Sequence, residues 1–158
     1  MKRSWRVGFS FGLTSGIITT LGLMVGLYSG THSQLVVIGG ILIIAIADAF
    51  SDSMSIHISQ EFENKSPHKE IWESTISTFI YKFIFSSFFI IPVLFLELQK
   101  AIIISVLIGL YLIIMISLVI ARERNVEAWK VISEHFLIAV LVIILTYFVG
   151  KLISSACG

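Results

Sequence analysis

The stretch LVVIGGILIIAIADAFSDSMSIHIS, residues 35–59, decides how the rest of the chain is interpreted. Residues 35–47 carry no charge, and the whole stretch is longer than the roughly 20 residues that a helix needs to cross the hydrocarbon core of a bilayer. Two carboxylates, Asp48 and Asp52, nevertheless follow within it, together with His57. The stretch therefore predicts a membrane helix whose second half carries charge.

The composition of the whole chain is that of an integral membrane protein. Of 158 residues, 56% are hydrophobic and only 13% are charged, and the mean hydropathy is +0.97, well above the range of soluble domains. The net charge of +1 and the lack of a large basic patch give no reason to expect a nucleic-acid partner. Cys157, the only cysteine, excludes an intrachain disulfide and a thiolate metal cage.

The apolar residues fall into five long runs, which predict an all-α protein with five membrane spans in a single domain, residues 1–158. The spans are expected at about 7–29, 35–59, 75–96, 101–120 and 131–152. Because the runs are continuous rather than alternating, they exclude the strands of a membrane barrel. The first run is longer than the apolar region of a signal peptide and has no small-x-small cleavage site, so we expect a membrane helix there.

Lysine and arginine at the ends of the spans predict the orientation. One side collects most of them, and the other has only Lys100 and Lys151. The positive-inside rule therefore predicts a cytoplasmic N-terminus and a C-terminus on the opposite side. The longest predicted connection, residues 60–74, is too short to form a core of its own, so any function is expected in the bundle or at this loop.

A polar stripe is predicted on the second helix. At 100° per residue, Asp48, Asp52, Ser55 and Ser59 share one sector, and His57 faces the opposite side as an interfacial histidine. A carboxylate near the bilayer centre costs about 2.5–3.5 kcal/mol, so the stripe requires a partner, a water-filled cavity or a bound cation. We therefore expect an ion site here.

Lys82 on the third helix shares a face with Thr75, Thr78 and Ser86. Its ammonium could neutralise Asp48 or Asp52, or it could extend along its long stem to the cytoplasmic surface, and the sequence leaves both open. Pro92 predicts a kink or an end of regular hydrogen bonding further along the same helix.

Small residues on the first helix suggest close packing. Gly8, Gly12 and Gly16, and then Gly22 and Gly26, follow small-x-x-x-small spacing, which allows backbones to approach. This favours a central or a dimer-facing position for the helix. Hydroxyls on the same helix most often bond back to their own backbone.

Possible ligands for a divalent cation lie near the cytoplasmic end of the stripe, although their spacing matches no metal motif and favours an ordinary solvated loop. They are Glu61, Glu63, His68, Glu70 and Glu73 in the loop, with Glu134 and His135 of the last helix as possible neighbours in the same vestibule. No nucleophile and base occur at a recognisable spacing, so we do not expect an enzyme.

Four segments together resemble the vacuolar iron transporter (VIT) family over nearly the whole chain. They are SGIITTLGLMVGL (15–27), ADAFSDSMSIHISQE (47–61), IIPVLF (90–95) and AWKVISEHFLIAVLVIILTYFVGKLI (128–153). The resemblance implies five helices with the N-terminus inside, and a homodimer that exchanges Fe(II) or Mn(II) for protons.

The chain departs from the family pattern at the residues that matter most. Ser15 stands where the family has an aspartate, Asp48 where it has a methionine, and Asp52 where it has a glutamate. The acidic insertion between helices two and three is replaced by the short loop. Oxygen ligands without a thioether favour harder ions such as Mn(II), Fe(II), Mg(II) or Ca(II).

The sequence and the resemblance together predict a transporter of a divalent cation of the Fe(II)/Mn(II) class, which leaves the cytoplasm in exchange for protons. Asp48 and Asp52 are expected to bind the ion, and the pathway is expected to include Ser15, Thr19, Ser55, Ser59 and Lys82. We expect no tightly bound cofactor, and a homodimer in the cell membrane of a prokaryote rather than in an organelle. The alternative is a non-transporting scaffold or partner subunit with a structural Asp/Lys pair.

Overall fold

The computed structural model describes residues 2–157, which contain helices and no strand. The helices, in chain order, are α1 (Arg3–Thr31), α2 (Gln34–Glu63), α3 (His68–Phe88), α4 (Ile90–Phe95), α5 (Leu98–Arg124) and α6 (Ala128–Cys157). With α3 and α4 taken together, five helices are long and apolar enough to cross a membrane. The predicted all-helical fold and its five membrane-length helices are confirmed at this level.

The helices extend beyond the predicted spans and leave short connections. Because α2 continues to Glu63 and α3 begins at His68, the predicted loop 60–74 reduces to residues 64–67. Asn64 ends α2 and Asn125 ends α5, both with positive φ, a conformation that asparagine tolerates better than most residues. Because successive membrane-length helices run in opposite directions, the N-terminus and these two connections lie at one end of the bundle, which we call the N-terminal end.

The third apolar segment is broken where proline predicts a break. Phe89 separates α3 from α4 and lies three residues before Pro92. Proline has no N–H to donate, and its ring would clash with the carbonyl of Phe88, four residues earlier. The helix therefore ends its regular hydrogen bonding at this point and resumes for a further short turn.

α1 is the central helix of the bundle. It packs against α2 and α3 on one flank and against α5 and α6 on the other, whereas these two helical hairpins make hardly any contact with each other. Ile17, Leu21 and Met24 of α1 are buried, with Ile41 of α2 and Ile113 of α5 in the same cluster. Of the two positions that the glycine pattern suggested, the structure places α1 at the centre.

Glycines set the distance between α1 and its two main partners. Gly8, Gly12 and Gly16 face α3, and Gly22, Gly26 and Gly30 face α6. A Cβ atom on Gly12 would lie 2.8 Å from the carbonyl oxygen of Thr78 and 2.9 Å from the amide nitrogen of Lys82. Both are backbone atoms that a side-chain rotation cannot move, so α3 can approach this closely only because residue 12 has no side chain.

Gly12→Ala is expected to destabilise the protein by about 1–3 kcal/mol, because the added methyl group must push the α3 backbone away from α1. The matched control is Gly39→Ala, since a Cβ at Gly39 meets nothing within 4 Å. Thermal unfolding of both variants in the same detergent measures the difference. Equal melting temperatures for the two variants would contradict the close-packing role of Gly12.

Candidate functional site: a buried lysine between two aspartates

The centre of the site is Lys82, whose side chain is 0% exposed. Gly12 and Gly16 bring its backbone against α1, since a Cβ on Gly16 would lie only 3.3 Å from the Lys82 carbonyl oxygen. The ammonium then reaches across to α2, where Nζ lies 2.6 Å from Asp48 Oδ2 and forms an ion pair with Asp52 Oδ2. Of the two arrangements that the sequence left open, the structure has Lys82 turned inward to both aspartates.

Ser15 of α1 completes the cluster. Its hydroxyl accepts a hydrogen bond from Lys82 Nζ at 2.8 Å and donates one to Asp52 Oδ2 at 2.6 Å. Asp48 Oδ2, by contrast, is buried, and the ammonium at 2.6 Å is its one polar partner among residues 2–157. Asp48 is therefore the carboxylate with unused capacity to accept a proton or to bind a cation.

The cluster lies halfway along its helices. Asp48 is at the midpoint of Gln34–Glu63, and Lys82 is at the midpoint of the segment His68–Phe95. Ser15 lies two residues from the midpoint of α1. Because α2 continues past its predicted end, Asp48 is more central in its helix than the sequence predicted.

The charges of the cluster do not balance. With every group ionised, Asp48, Asp52 and Lys82 sum to one negative charge, and no further ion pair in the described part of the chain involves them. A charge in a low-dielectric environment attracts a neutralising partner strongly. A proton or an additional cation at the carboxylates would neutralise the cluster.

Asp48 also borders a groove on the outer surface between α1 and α2. The groove has a volume of about 750 Å³, and apart from Asp48 and Ser51 its lining is apolar or glycine, including Leu23, Leu27 and Gly40. The side chains of Asp48 and Asp52 retain 26% and 20% exposure. Asp48 is thus accessible from the side of the bundle, whereas the ammonium is not.

A second, polar cavity lies at the N-terminal end, between α1, α2 and α3. Its volume is about 260 Å³, and Ser59, Glu63 and Glu70 line it together with Gln60, whose Oε1 atom is buried with no partner among residues 2–157. Ile56 also lines this cavity and stands one helical turn from Asp52. One wall of the cavity therefore lies one helical turn along α2 from Asp52.

The other predicted entrance residues lie elsewhere. Glu61 lies 3.4 Å from His57 Nε2, and Glu73 pairs with Lys2 at 2.8 Å while accepting a hydrogen bond from Ser4. The Glu73 carboxylate raises the pKa of the Lys2 ammonium, because it accepts a hydrogen bond from that ammonium. Only Glu63 and Glu70 of the predicted loop carboxylates line the polar cavity.

Three further entrance candidates are also outside the polar cavity. The ring of His68 lies 6.4 Å from that of Trp72, and Glu134 is exposed on α6. His135 lines a different cleft, between α1, α5 and α6, and its Nδ1 lies 2.9 Å from the Ser117 hydroxyl. The vestibule that the sequence suggested for all seven residues is thus divided between separate surfaces.

Two of the predicted pathway hydroxyls bond to their own helices. Thr19 Oγ1 donates to the carbonyl of Ser15 at 2.8 Å, and Ser55 Oγ donates to the carbonyl of Ser51 at 2.9 Å. Such back-bonding is the usual fate of hydroxyls inside helices, since the carbonyl four residues earlier is always within reach. Ser15 and Ser59 are the pathway hydroxyls that the structure places at the cluster and at the polar cavity.

The prediction of an interfacial histidine at position 57 is wrong, because His57 packs against α3, the helix that also carries Lys82. His57 is buried, with Nδ1 2.9 Å from Thr75 Oγ1 and its ring 4.7 Å from that of Trp72. Ser117 and His135 join α5 to α6 in a similar way, a contact that the sequence did not predict. The two contacts share one sequence spacing: each histidine lies 18 residues from its hydroxyl partner, across a connection at the N-terminal end.

Within residues 2–157 there is no group of three or more His, Cys, Asp or Glu side chains that could hold a metal ion. The predicted ligands Asp48 and Asp52 come together, but with an ammonium rather than with a third acidic or imidazole ligand. In this arrangement the cluster is a site for a cationic group, and Lys82 supplies that group.

No protein-family model, curated protein or solved structure matches this chain.

Lys82→Met is expected to destabilise the protein by about 3–5 kcal/mol, because it leaves two carboxylates without a cation inside the bundle. Asp48→Asn should cost less, since it leaves the one-to-one pair of Lys82 with Asp52. Unfolding in a mixed-detergent titration measures both free energies. The reverse order of the two losses would contradict the charge balance described for the cluster.

Proposed function

We propose that the chain transports a divalent cation of the Fe(II)/Mn(II) class out of the cytoplasm in exchange for protons, with Asp48 and Asp52 as the ion-binding carboxylates. The observation that carries the proposal is the Lys82 ammonium, which is completely buried between these two side chains at the middle of the bundle. An ammonium held by two carboxylates and a hydroxyl occupies the position that a transported cation would take.

The role proposed for Lys82 is that of a tethered competitor. A divalent ion that binds Asp48 and Asp52 would displace the ammonium, because both cannot share Oδ2 of the two aspartates. When the ion leaves, Lys82 would return and neutralise one of the two carboxylates, and a proton would neutralise the other. The empty transporter would then change conformation without two unpaired carboxylate charges in the membrane.

Charge balance indicates how protons would be coupled. With one carboxyl protonated and Lys82 charged, the cluster is neutral. A divalent ion bound to two ionised carboxylates is also neutral if Lys82 has released its proton. Exchange between these two states would release two protons for each divalent ion and would leave the total charge in the membrane unchanged.

The polar cavity at the N-terminal end would serve as the approach from the cytoplasm. Glu63 and Glu70 would raise the local concentration of cations, and Ser59 and Gln60 supply neutral oxygen atoms. Ile56 would be the apolar barrier between this cavity and Asp52. The route requires this barrier to move, as alternating access demands of any transporter.

The ligand chemistry favours hard or borderline ions. Asp48, Asp52 and Ser15 supply oxygen atoms only, which suit Mn(II), Fe(II), Mg(II) and Ca(II) better than soft ions. Two carboxylates do not complete a coordination sphere, so water or a second copy of the chain would supply the remaining ligands. The resemblance to the VIT family supports a homodimer, and we propose the cell membrane of a prokaryote as its location.

Transport in proteoliposomes with an imposed pH gradient tests the proposal. Wild-type protein should carry Mn(II) or Fe(II) when a proton gradient is present, and Asp48→Asn should reduce the flux by at least tenfold, because the neutral amide cannot trade a proton for a metal. The matched control is Glu97→Gln, an exposed carboxylate paired with Lys100 at the other end of the bundle. Equal flux through wild type and Asp48→Asn would show that the assigned site is wrong.

The alternative is a scaffold or partner subunit in which the cluster ties α2 to α3 and transports nothing. The hydrogen bonds of Ser15 and the ion pairs of Lys82 favour this reading, because they already stabilise the two helices against each other. The triple variant Asp48→Asn/Asp52→Asn/Lys82→Met leaves no unpaired charge in the cluster and separates the two functions. If it is stable but loses the Mn(II) binding of the wild type, the cluster is an ion site. If it restores stability together with every measurable activity, the cluster is structural.

A further inference from the structure

A basic cleft opens at the N-terminal end of the bundle, between α1 and the α5–α6 hairpin. Its volume is about 630 Å³. Arg3 and Arg6 of α1 and Arg124 of α5 line it, with His135 of α6 as a fourth nitrogen-bearing side chain. It opens toward α5 and α6, whereas the carboxylate-lined polar cavity opens toward α2 and α3, and Arg3 and Val7 border both. The transport mechanism proposed above uses none of these residues.

The positive charges of the cleft are only partly neutralised. Glu123 is the single carboxylate in its lining, and it pairs with Arg6. Neither Arg3 nor Arg124 forms a side-chain hydrogen bond or an ion pair with any residue that the structure describes, and both are exposed. Two guanidinium groups therefore remain available to an anion at the mouth of the cleft.

The rest of the lining is suited to an amphiphile rather than to a small soluble anion. Val7, Phe11 and Ile120 form apolar wall, and Phe11 is 37% exposed on the outer surface of α1. Ser10 and Thr14 add hydroxyls on the same face of α1. The guanidinium groups lie at the helix ends, and the apolar side chains lie one to two turns further into the bundle. This arrangement complements a phospholipid, whose phosphate lies at the membrane surface and whose acyl chains lie below it.

We propose that this cleft binds the headgroup of an anionic phospholipid of the surrounding leaflet, with its phosphate on Arg3 and Arg124 and the start of one acyl chain along Phe11. Arginine suits this task because its planar guanidinium donates two parallel hydrogen bonds to phosphate oxygens. His135 is held in the cleft wall by Ser117, whose hydroxyl also donates to the carbonyl of Ile113 at 2.6 Å. The bound lipid would join α1 to the α5–α6 hairpin.

The experiment compares two double variants with the same loss of charge. Arg3→Gln/Arg124→Gln removes the free guanidinium groups of the cleft. Arg122→Gln/Lys130→Gln removes two exposed positive charges from the same end of the bundle that do not line it. Each protein is purified in a neutral detergent, and the binding of phosphatidylglycerol and of phosphatidylcholine is measured by native mass spectrometry.

Wild type and the Arg122/Lys130 variant should retain phosphatidylglycerol in preference to phosphatidylcholine, and the Arg3/Arg124 variant should bind it on the order of tenfold more weakly. An equal loss in both double variants would overturn the proposal, because it would show unspecific attraction to a basic surface. Thermal unfolding in lipid-free detergent checks that each variant folds. If the double cleft variant unfolds, Arg124→Gln against Arg122→Gln makes the same comparison with single changes.

Two further measurements separate a lipid from a free anion. Phe11→Gln should weaken phosphatidylglycerol binding while every cationic side chain of the cleft remains in place. Millimolar inorganic phosphate should displace little of the bound lipid, since it gains nothing from the apolar wall. Full displacement by phosphate, together with unchanged binding by Phe11→Gln, would show that the cleft is a phosphate site and not a lipid site.

Discussion

The ionic contact of one ammonium with two carboxylates is the interaction on which the arrangement of α1, α2 and α3 depends. An isolated charge buried in the bundle costs several kcal/mol, so Lys82 and the aspartates of α2 stabilise each other for as long as no other cation replaces the ammonium. This pairing depends on how closely α3 packs against α1. α3 can place Lys82 at the cluster only because Gly12 and Gly16 allow its backbone to approach α1.

The two flanks of α1 are built alike but carry different chemistry. Glycines of its first half face Lys82 and Ser86 of α3, and glycines of its second half face Val142 and Thr146 of α6. On the α6 flank Gly22 faces the side chains of Val142 and Thr146, whereas on the α3 flank Gly12 and Gly16 face backbone atoms of Lys82. Close packing therefore does not require charge. The α6 flank of α1 packs closely without any charged group. The ammonium and its two carboxylates are therefore not needed for close packing on the α3 flank, although burying them costs desolvation energy.

Part of this structure could be predicted from the sequence, because long apolar runs and a period of 3.6 residues are local properties. They predicted five membrane-length helices, the shared face of Asp48 and Asp52, and the break before Pro92. The partner of the aspartates could not be predicted, since the long stem of Lys82 reaches either the membrane surface or the bundle interior, and only the position of α3 against α1 decides. The prediction of one shared entrance was wrong for a similar reason. Because α2 is helical as far as Glu63 and α3 is helical from His68 onward, side chains that are close in sequence point to different surfaces.

The extra carboxylate is the feature that best separates a structural tie from an exchangeable site. A tie between α2 and α3 needs one aspartate, and a second one at this depth adds a desolvation cost that a single ammonium cannot fully offset. Asp48 is that second carboxylate, because Asp52 already has both Ser15 and Lys82 as hydrogen-bond donors, whereas Asp48 has only an ionic contact. A group that is costly, incompletely bonded and bordered by an accessible groove is poorly explained by stability alone. Its chemistry suits a site that exchanges one positive charge for another.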